Sequence, residues 1–365
     1  MKIMHVFISM PVGGAEDLVM SFLRASNERM TPEAVCLREL GELGEEAVSA
    51  GLPVHLMEVA RTRRFSLGGV RKLARWFKEQ SVDVVHSHVY NSHQYALPAA
   101  WLAGIPCVVH HHKTFNPRRR KRWFVLKMLS RLASCHLMLS GQTRDDSVKA
   151  LGLDPGKAFH LANSVDTGVF QPVEDKVALK KELGLPLDRP VIGGIASLAK
   201  QKNHGATLEM MGKLRDRGVS FHGVICGEGP MRGELEDRIR ELKLEDIVNL
   251  PGNKRPLHPW MQAMDVLAFP STWEGQPMVL LQAMACGIPV IASRIEGNVN
   301  TLGKTHPGLF DLEAPDDFAT KMGRCLEDSA FCSEIVIHEK AQFQKADKLE
   351  DYLARLEGIY RSILA

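Results

Sequence analysis

Short apolar runs alternate with amphipathic helical patterns along most of the chain. An apolar run at residues 2–8 predicts a buried strand, a glycine-bearing turn follows at 9–14, and a helical pattern begins at 15 and ends near 23. The alternation continues with helices at 67–80, 94–103 and 120–133 and with strands at 82–86 and 107–111. This order favours an α/β fold whose parallel sheet carries helices on both faces.

A second strand and helix series begins at Val191. It predicts strands at 191–196, 221–226, 266–269 and 290–292 and helices at 203–217, 231–242 and 279–285. The sequence therefore predicts two doubly wound domains, at 1–172 and 190–345. The charged stretch at 174–181 indicates a linker between them, at 173–189. The last segment, 346–365, has an apolar helical face and is expected either to close the second domain or to cross back to the first.

Length and composition fit this interpretation. A chain of 365 residues is longer than one hydrophobic core usually serves, and 45% apolar with 24% charged residues is typical of a soluble α/β protein. A net charge of +3 gives no support for nucleic-acid binding. The seven scattered cysteines form no C-x-x-C pair and favour a reducing compartment. With neither a secretory signal pattern nor a long apolar run, a cytoplasmic protein is expected.

The most informative stretch is residues 270–290, P-S-T-W-E-G-Q-P-M-V-L-L-Q-A-M-A-C-G-I-P-V. Glu274 lies on the loop after a predicted strand, where open α/β sheets place their ligands. The following helix N-terminus offers backbone N–H groups and a positive dipole. A carboxylate at this position can accept hydrogen bonds from hydroxyl groups of a ligand, while the amides can face an anionic group such as a phosphate.

This stretch closely resembles the signature of glycosyltransferase family 4. Further segments resemble the motifs of that family in the same order, at 13–16, 83–88, 106–112, 163–166, 195–203, 226–230 and 250–252. Each motif is weak evidence alone, but together they span nearly the whole chain. The resemblance implies the GT-B fold, in which two Rossmann-like domains face each other across a cleft.

The resemblance also implies roles for individual residues. His112, Glu274 and Lys202 are the expected catalytic residues: His112 approaches the donor sugar, Glu274 orients it and Lys202 stabilises the leaving diphosphate. The expected donor-binding residues are Gly13, Gly14, Ser197, Lys202, Gly227, Gly252, Asn253, Glu274, Gly275, Gln276, Pro277 and Gln282. The expected acceptor-side residues are Glu16, His88 and His111.

Three departures from the family pattern lie in the donor half. Gln282 stands where the family has a second glutamate, and Ser197 where it has an arginine that contacts the diphosphate. The Gly-Gly-x-x-Glu loop is here Glu296-Gly297-Asn298-Val299-Asn300. Glutamine can still bridge ribose hydroxyls, but without the charge-assisted part of that bond. These differences predict an altered donor or a weakened activity.

The resemblance implies a retaining transfer of sugar from a nucleoside diphosphate, expected to be UDP, to a glycan or lipid-linked acceptor, as in bacterial envelope polysaccharide or lipopolysaccharide synthesis. The chain contains no Asp-x-Asp, so neither a divalent metal nor another cofactor is expected. A nucleotide-sugar 2-epimerase of the same fold and a catalytically weakened partner subunit remain alternatives. A nicotinamide enzyme is disfavoured because the first turn lacks G-x-G-x-x-G.

Simpler interpretations accompany these assignments. Gly13 and Gly14 are also what a tight strand-to-helix turn requires, and Glu274 would also suit a helix N-terminus. The histidines at 110–112, with His86, His88 and His93, raise the question of a metal, but no H-E-x-x-H motif or zinc-type spacing supports one. On a strand, His110 and His112 would share one face and His111 the other.

A basic run, Arg118, Arg119, Arg120, Lys121 and Arg122, precedes an apolar helical stripe that starts at Trp123. Such a segment can lie on an anionic membrane, where each cation contributes about 1 kcal/mol. It is also compatible with a helix that packs on the sheet with a solvated basic rim. The membrane hypothesis would place the protein at the inner face of the cytoplasmic membrane.

Overall fold

The computed structural model describes residues 1–60, 65–111 and 120–365, with the backbone alone at 120 and 121. These residues form two compact units. The first unit comprises Met1–Asn163 together with Leu349–Ala365, and the second comprises Ser164–Lys348. The chain therefore passes between the units twice, at 163–164 and at 348–349.

The first unit is built on parallel strands, which are β1 (Lys2–Phe7), β2 (Thr31–Cys36), β3 (Val54–Leu56), β4 (Val84–His88), β5 (Cys107–His111), β6 (Cys135–Met138) and β7 (Ala158–His160). Within the described residues they form one sheet in the order β3-β2-β1-β4-β5-β6-β7. Strands such as β1 are buried along almost their whole length, which explains the nearly continuous apolar runs in the sequence.

Helices connect these strands, and they are α1 (Gly14–Arg24), α2 (Gly41–Ser49), α3 (Leu67–Glu79), α4 (Val89–Ala103), α5 (Arg120–Ser130) and α6 (Gly141–Leu151). Ser66 and Ser140 cap α3 and α6 by accepting from backbone N–H groups of the first turn. Gly104 and Gly152 end α4 and α6 in the left-handed conformation. The capping chemistry therefore agrees with the boundaries of these helices.

The second unit has the strands β8 (Val191–Ile195), β9 (His222–Cys226), β10 (Val248–Gly252), β11 (Val266–Phe269), β12 (Val290–Ser293) and β13 (Leu309–Phe310). They form a parallel sheet in the order β10-β9-β8-β11-β12-β13. Its helices are α7 (Lys176–Glu182), α8 (His204–Asp216), α9 (Arg232–Glu241), α10 (His258–Ala263), α11 (Met278–Cys286), α12 (Glu296–Leu302), α13 (Pro315–Glu327) and α14 (Ser329–Phe343). Both sheets thus have the doubly wound, Rossmann-like strand order.

The C-terminal helix α15 (Leu349–Leu364) belongs to the first unit. Its buried residues Tyr352, Leu356 and Tyr360 lie four positions apart and join the apolar cluster that contains Phe22. The Tyr352 and Phe22 rings stack with centroids 5.4 Å apart. Of the two expectations for this segment, the structure has the one in which the chain returns to the first domain.

No helix in the described parts of the chain is both long enough and apolar enough to cross a membrane.

The boundary between the units differs from the sequence prediction. Residues 164–172, expected in the first domain, and 173–189, expected as a linker, belong to the second unit. Lys180 of α7 is buried and donates to Asp265 Oδ2 at 2.5 Å, and the same oxygen accepts from the Val191 backbone N–H at 2.7 Å. The charged pattern that suggested a linker therefore belongs to a helix held on the second sheet by an ion pair.

A buried histidine and carboxyl pair ties α14 to the strands of the second unit. Glu339 Oε1 accepts from the Val290 backbone N–H at 2.9 Å and from His306 Nε2 at 3.1 Å, while His306 Nδ1 accepts from the Gly308 N–H at 3.1 Å. The Gly308 bond places the imidazole proton on Nε2. Burial lowers the pKa of His306 to about 3 and raises the pKa of Glu339 well above its usual value, so uncharged forms of both groups are favoured.

Glu339→Gln is therefore expected to be tolerated, whereas Glu339→Ala is not. Glutamine keeps Oε1 as the acceptor, whereas alanine leaves two buried donors unsatisfied at about 1–3 kcal/mol each. The pKa of Glu339 is higher in the folded protein than the value of 4.5 in the unfolded chain. The wild type therefore loses stability as the pH rises above 4.5, whereas the Glu339→Gln variant has no carboxyl at this position and does not. The Tm of Glu339→Gln relative to wild type should thus increase between pH 5 and pH 8. Exposed Glu313→Gln is the control, expected to follow the wild-type pH profile, and a Glu339→Gln variant less stable at every pH would contradict the prediction.

Candidate functional site

The second sheet changes winding direction between β8 and β11, its central strands. Helices that follow strands on opposite sides of such a point leave a crevice at the carboxyl ends of the two strands, where open α/β sheets bind ligands. Two predicted catalytic residues lie at this point. Lys202 ends a 3-10 turn, Lys200–Lys202, after β8, and Glu274 lies on the loop after β11.

Lys202 and Glu274 form a direct ion pair. The Lys202 Nζ and Glu274 Oε1 atoms are 2.5 Å apart, and the two side chains keep 20% and 10% of their surface exposed. Lys202 Nζ also lies 5.4 Å from the centroid of the Phe269 ring. The sequence predicted contacts with opposite ends of a sugar donor, and the structure shows that the cation and the carboxylate contact each other at one site of the second unit.

Hydrogen bonds tie the two loops that carry this pair. The Thr272 backbone N–H donates to the Gln201 carbonyl at 2.9 Å, and Gln201 Nε2 donates to the Trp273 carbonyl at 2.7 Å. Asn203 Nδ2 donates to the Pro270 carbonyl at 3.3 Å. The backbone of each loop is thus positioned by the other, which fixes the separation of the two charged side chains.

Gly297, at the start of α12, packs directly behind the Glu274 loop. A Cβ atom on Gly297 would lie 2.6 Å from the Glu274 carbonyl oxygen and 2.7 Å from that of Gly275, closer than a side chain can approach. The adjacent Asn298 is fully buried and donates to the Ser293 carbonyl at 2.9 Å, which holds the turn after β12 in place. The position of Glu274 therefore depends on a glycine 23 residues later.

Glycines also shape the loops after β9 and β10. Gly227 has φ +152°, and a Cβ atom there would lie 1.9 Å from the Ala196 carbonyl oxygen. Its N–H donates to the Gly252 carbonyl at 2.9 Å, and Gly252 has φ +80°. Asn253 continues this loop. These predicted donor-binding residues thus lie at the carboxyl ends of strands in the same half of the sheet, where close backbone approach is possible.

The remaining predicted donor residues have different degrees of exposure. Ser197 is exposed after β8, Gly275 and Gln276 are half-buried, and Pro277 is the N-cap of α11. Gln282 lies within α11 with only 4% of its surface exposed. Ser197 is thus at the surface, whereas Gln282 is buried within α11.

In the first unit, Gly13 and Gly14 form the turn between β1 and α1. Gly13 is the N-cap of α1 in an extended conformation, and a Cβ atom on it would lie 2.5 Å from Glu16 Oε2. The Glu16 side chain therefore folds back over the turn, and only 9% of the residue is exposed. An acidic group in the first helical turn stabilises the positive end of the helix dipole. This contact supports a structural part for Glu16 beside its predicted acceptor-side role.

His88 was expected to face an acceptor, and the structure corrects this. Strand β4 extends to His88, two residues beyond the predicted end of the strand at 86, and His88 is fully buried. Its Nε2 lies 2.9 Å from His5 Nδ1, and its ring stacks on Phe7 with centroids 4.6 Å apart. The longer strand keeps the side chain in the core of the first unit.

His111, at the end of β5, is half-buried, and its Nε2 lies 3.2 Å from His136 Nδ1. Burial lowers the pKa of His136 to about 4, which makes it a neutral partner. His110 is fully buried, as alternation along a strand requires. His112, Arg118 and Arg119 lie outside the described residues, as do the side chains of Arg120 and Lys121.

Several residues of the site were not predicted from sequence. Gln201 and Asn203 connect the loops, and His204 is buried at the start of α8, where burial and then the Lys202 charge lower its pKa to about 4. Asn203 has φ +53°, a conformation that asparagine adopts more readily than most residues. The asparagine in the Lys-Asn-His sequence is therefore a local indication of this turn. The contacts of Gln201 depend on the loop after β11 and could not be predicted from the local sequence.

Comparison with known proteins agrees with this geometry. Residues 12–169 match the family model described as Glycosyltransferase Family 4, and residues 189–328 match the one described as Glycosyl transferases group 1. The chain is 29% identical over 307 residues to the glycosyltransferase EpsF of Bacillus subtilis, covering 80% of this chain and 79% of EpsF. It is 28% identical over 301 residues to an Escherichia coli UDP-Gal:alpha-D-GlcNAc-diphosphoundecaprenol alpha-1,3-galactosyltransferase, covering 76% and 77% of the two chains.

Among solved structures, HepE of Anabaena in complex with UDP and glucose superposes with a TM-score of 0.86 at 20% identity, covering 99% of this chain and all of HepE. This likeness shows the fold, two Rossmann-like α/β domains of the GT-B type. The two family models match successive parts of the chain, and the Lys202–Glu274 pair lies within the second of them. The protein is a member of glycosyltransferase family 4.

Proposed function

We propose that this protein transfers a sugar from a UDP-sugar to a hydroxyl of a glycan or lipid-linked acceptor with retention of anomeric configuration. The observation that carries the proposal is the Lys202–Glu274 pair at the switch point of the second sheet. A cation there can stabilise the charge that develops on a leaving diphosphate, and a carboxylate beside it can accept hydrogen bonds from sugar hydroxyls.

The donor assignment is supported by relatives of this fold. The solved HepE structures contain UDP, UDP with glucose, or UDP-glucose. The E. coli relative is named for transfer from UDP-Gal. In this chain, the glycine turns at Gly227 and Gly252 let backbone approach a nucleotide, and Ser197, exposed after β8, would replace a charged contact with a neutral one.

The acceptor class rests on the names of relatives that act on envelope glycans. One acts on a sugar linked to diphosphoundecaprenol, and LpsB of Rhizobium meliloti is a lipopolysaccharide core mannosyltransferase, 27% identical over 260 residues. We therefore propose a hydroxyl on a bacterial envelope glycan or its lipid-linked precursor. The leaving phosphate oxygen would accept the proton of that hydroxyl.

We further propose that transfer needs no divalent metal. Lys202, the N–H groups around Gly275 and the N-terminus of α11 would together provide the positive potential that a metal supplies in other transferases. Activity should therefore persist in the presence of EDTA.

The first test is a panel of nucleotide sugars measured by thermal shift and by product analysis. A donor at about 100 times its Kd should stabilise the protein by roughly 2.7 kcal/mol. Incubation of the best donor with lipid-linked and free glycans should then give a product whose anomeric configuration, measured by NMR, equals that of the donor. An inverted product would refute retention, a 2-epimerised nucleotide sugar would identify an epimerase, and absence of turnover with every donor and acceptor would favour a partner subunit.

Helix α5 is the proposed membrane contact. Three of its apolar residues, Phe124, Val125 and Met128, are exposed at 61%, 38% and 48%. Arg122 lies on the Tyr90 ring at 4.1 Å, so a cation borders this apolar surface. An exposed apolar stripe beside a basic run matches the chemistry of an anionic lipid surface.

Neutralising residues 118–122 is expected to reduce binding to anionic vesicles at least tenfold, because each cation contributes about 1 kcal/mol. Phe124→Ser should weaken binding as well, since it removes apolar contact without changing charge. Liposome flotation with vesicles containing phosphatidylglycerol measures both effects, and Arg240→Gln, an exposed change in the second unit, is the control. Equal flotation of the wild type and the neutralised variant would indicate instead that the basic residues form a solvated rim on a helix packed against the sheet.

A further inference from the structure

Four buried histidines converge in the sheet of the first unit, outside the proposed transfer chemistry. His5 comes from β1, His86 and His88 from β4, and His110 from β5, and each has at most 1% of its surface exposed. In the strand register His5 pairs with His86, and His88 with His110. The side chains of 86 and 88 lie on one face of β4 because they are two positions apart.

Three of these histidines are close enough to share one ion. His5 Nδ1 and His88 Nε2 are 2.9 Å apart, and one ring nitrogen from each of His5, His86 and His88 lies within 4.8 Å of the others. The ring centroids of His86 and His88 are 4.3 Å apart, and both lie about as near to His5, at 5.0 and 5.2 Å. Imidazoles from two adjacent strands therefore surround a common point.

The surroundings of His86 resemble the support that metal-binding imidazoles usually have. His86 Nδ1 lies 2.6 Å from the Tyr360 hydroxyl of α15. A hydrogen bond on one ring nitrogen fixes the orientation and the tautomer of the ring, so that the other nitrogen can coordinate. His86 would thus coordinate through Nε2, with Tyr360 as its support from a distant part of the sequence.

We propose that His5, His86 and His88 bind a divalent first-row transition metal, for which Zn²⁺ is the best candidate. Imidazole nitrogen suits Zn²⁺, Cu²⁺, Ni²⁺ and Fe²⁺, and a set of three buried imidazoles disfavours Mg²⁺ and Ca²⁺, which prefer oxygen ligands. Tetrahedral Zn²⁺ with Zn–N distances of about 2.0–2.1 Å places two ligand nitrogens about 3.3 Å apart. The observed 2.9 Å between His5 and His88 needs to open by only a few tenths of an ångström.

The fourth position has a candidate ligand nearby. The His110 ring centroid lies 5.5 Å from that of His86 and 5.8 Å from that of His88. A side-chain rotation of His110 would complete an all-histidine set. Because these residues lie on the adjacent strands β1, β4 and β5, the ion would link these central strands to one another. Its role would be structural.

The histidines lie among apolar residues that include Phe7 and Phe22, where polar rings need partners for their nitrogens. Metal coordination would replace the His5–His88 hydrogen bond by bonds from three imidazoles to one ion. A ladder of hydrogen bonds between neutral imidazoles is the competing arrangement, and it would bind no metal.

The test uses the full-length, tag-free chain expressed in minimal medium with added Zn²⁺ or Co²⁺. After desalting, elemental analysis should find about one Zn²⁺ per chain, and the Co²⁺ protein should show the visible absorption of a tetrahedral nitrogen site. His88→Gln should lose the ion. His55→Gln, a half-exposed histidine paired with Glu33 in the same unit, is the matched control and should keep it.

Less than about 0.2 equivalents of metal in the wild type, or equal metal in both variants, would overturn the proposal. If His88→Gln does not fold, the Co²⁺ spectrum of the wild type decides, since a hydrogen-bonded ladder gives no such absorption. Thermal unfolding adds an independent measure: the Zn²⁺ form should melt at least about 3 °C above the metal-stripped form. Sugar transfer enters none of these measurements, so they stand even if the proposed function fails.

Discussion

Replacing Lys202 with alanine is expected to lower kcat/KM for sugar transfer by about 10²–10³. Lys202 is the cation next to Glu274 at the switch point of the second sheet, and Ser197 is predicted to replace an arginine of the family pattern. The loss of Lys202 would therefore remove positive charge at the position where the leaving diphosphate is proposed to gain negative charge. Steady-state kinetics with the best UDP-sugar measure the effect.

Lys200→Ala is the matched control, since Lys200 is an exposed lysine of the same 3-10 turn. It should change kcat/KM by less than about threefold. The Lys202–Glu274 pair is largely buried, so removing Lys202 leaves the Glu274 carboxylate without its cation and should cost about 1–3 kcal/mol of stability. Tm will show whether the Lys202→Ala protein is folded. A folded Lys202→Ala protein with wild-type kinetics would contradict the assigned role.

Gly227→Ala is expected to have the largest effect on the second unit, a loss of about 3 kcal/mol or more together with loss of donor binding. The new Cβ would lie 1.9 Å from the Ala196 carbonyl oxygen, and φ +152° is unfavourable for any residue with a side chain. Relief of this clash has to move the backbone after β8 or β9, where the donor is proposed to bind. Denaturant unfolding and a UDP binding assay measure the two effects.

Gly233→Ala provides the comparison, because the Cβ of an alanine at this position of α9 would meet no atom within 4 Å beyond the neighbouring backbone of its own helix. Alanine there should stabilise the protein by about 0.5–1 kcal/mol. Equal stabilities of the two variants would show that the loop after β9 tolerates a shift, and would remove the argument for close backbone approach at Gly227.

Much of the fold could be predicted because buried parallel strands have short, nearly continuous apolar sequences. Strands β5 and β11 have the predicted bounds. Strand β2 was not predicted. Its sequence T-P-E-A-V-C has a proline at the second position, and proline usually argues against an interior strand. In the structure Pro32 lies near the start of β2, and the strand pairs with both β1 and β3.

Predictions failed where tertiary contacts decide the outcome. The charged residues at 174–181 suggested a linker because sequence alone does not show that Lys180 has Asp265 as a partner 85 residues away. His88 was expected to face the acceptor because its segment resembles a family motif, and the predicted strand ended two residues before it. In both cases a polar residue is buried because a distant partner is available to it.

The candidate site also combines features that the local sequence predicts with features that depend on tertiary contacts. The motif around Glu274 and the register of Lys202 could be recognised locally, and the structure brings the two together at 2.5 Å. Their direct contact, the support of the loop by Gly297 and the enclosure of Gln282 depend on how β8, β11 and β12 pack side by side. Residue types thus identified the chemistry, and only the assembled sheet defined which groups touch.

Because Tyr352, Leu356 and Tyr360 complete the core of the first unit, that unit is assembled from two segments that the whole second unit separates in the sequence. During synthesis, residues 1–163 leave the ribosome long before residues 349–365, which complete their core, are made. The N-terminal segment therefore keeps an unfilled apolar surface while the whole second unit is synthesised. A chain truncated after residue 348 should consequently contain a folded second unit and an incomplete first one.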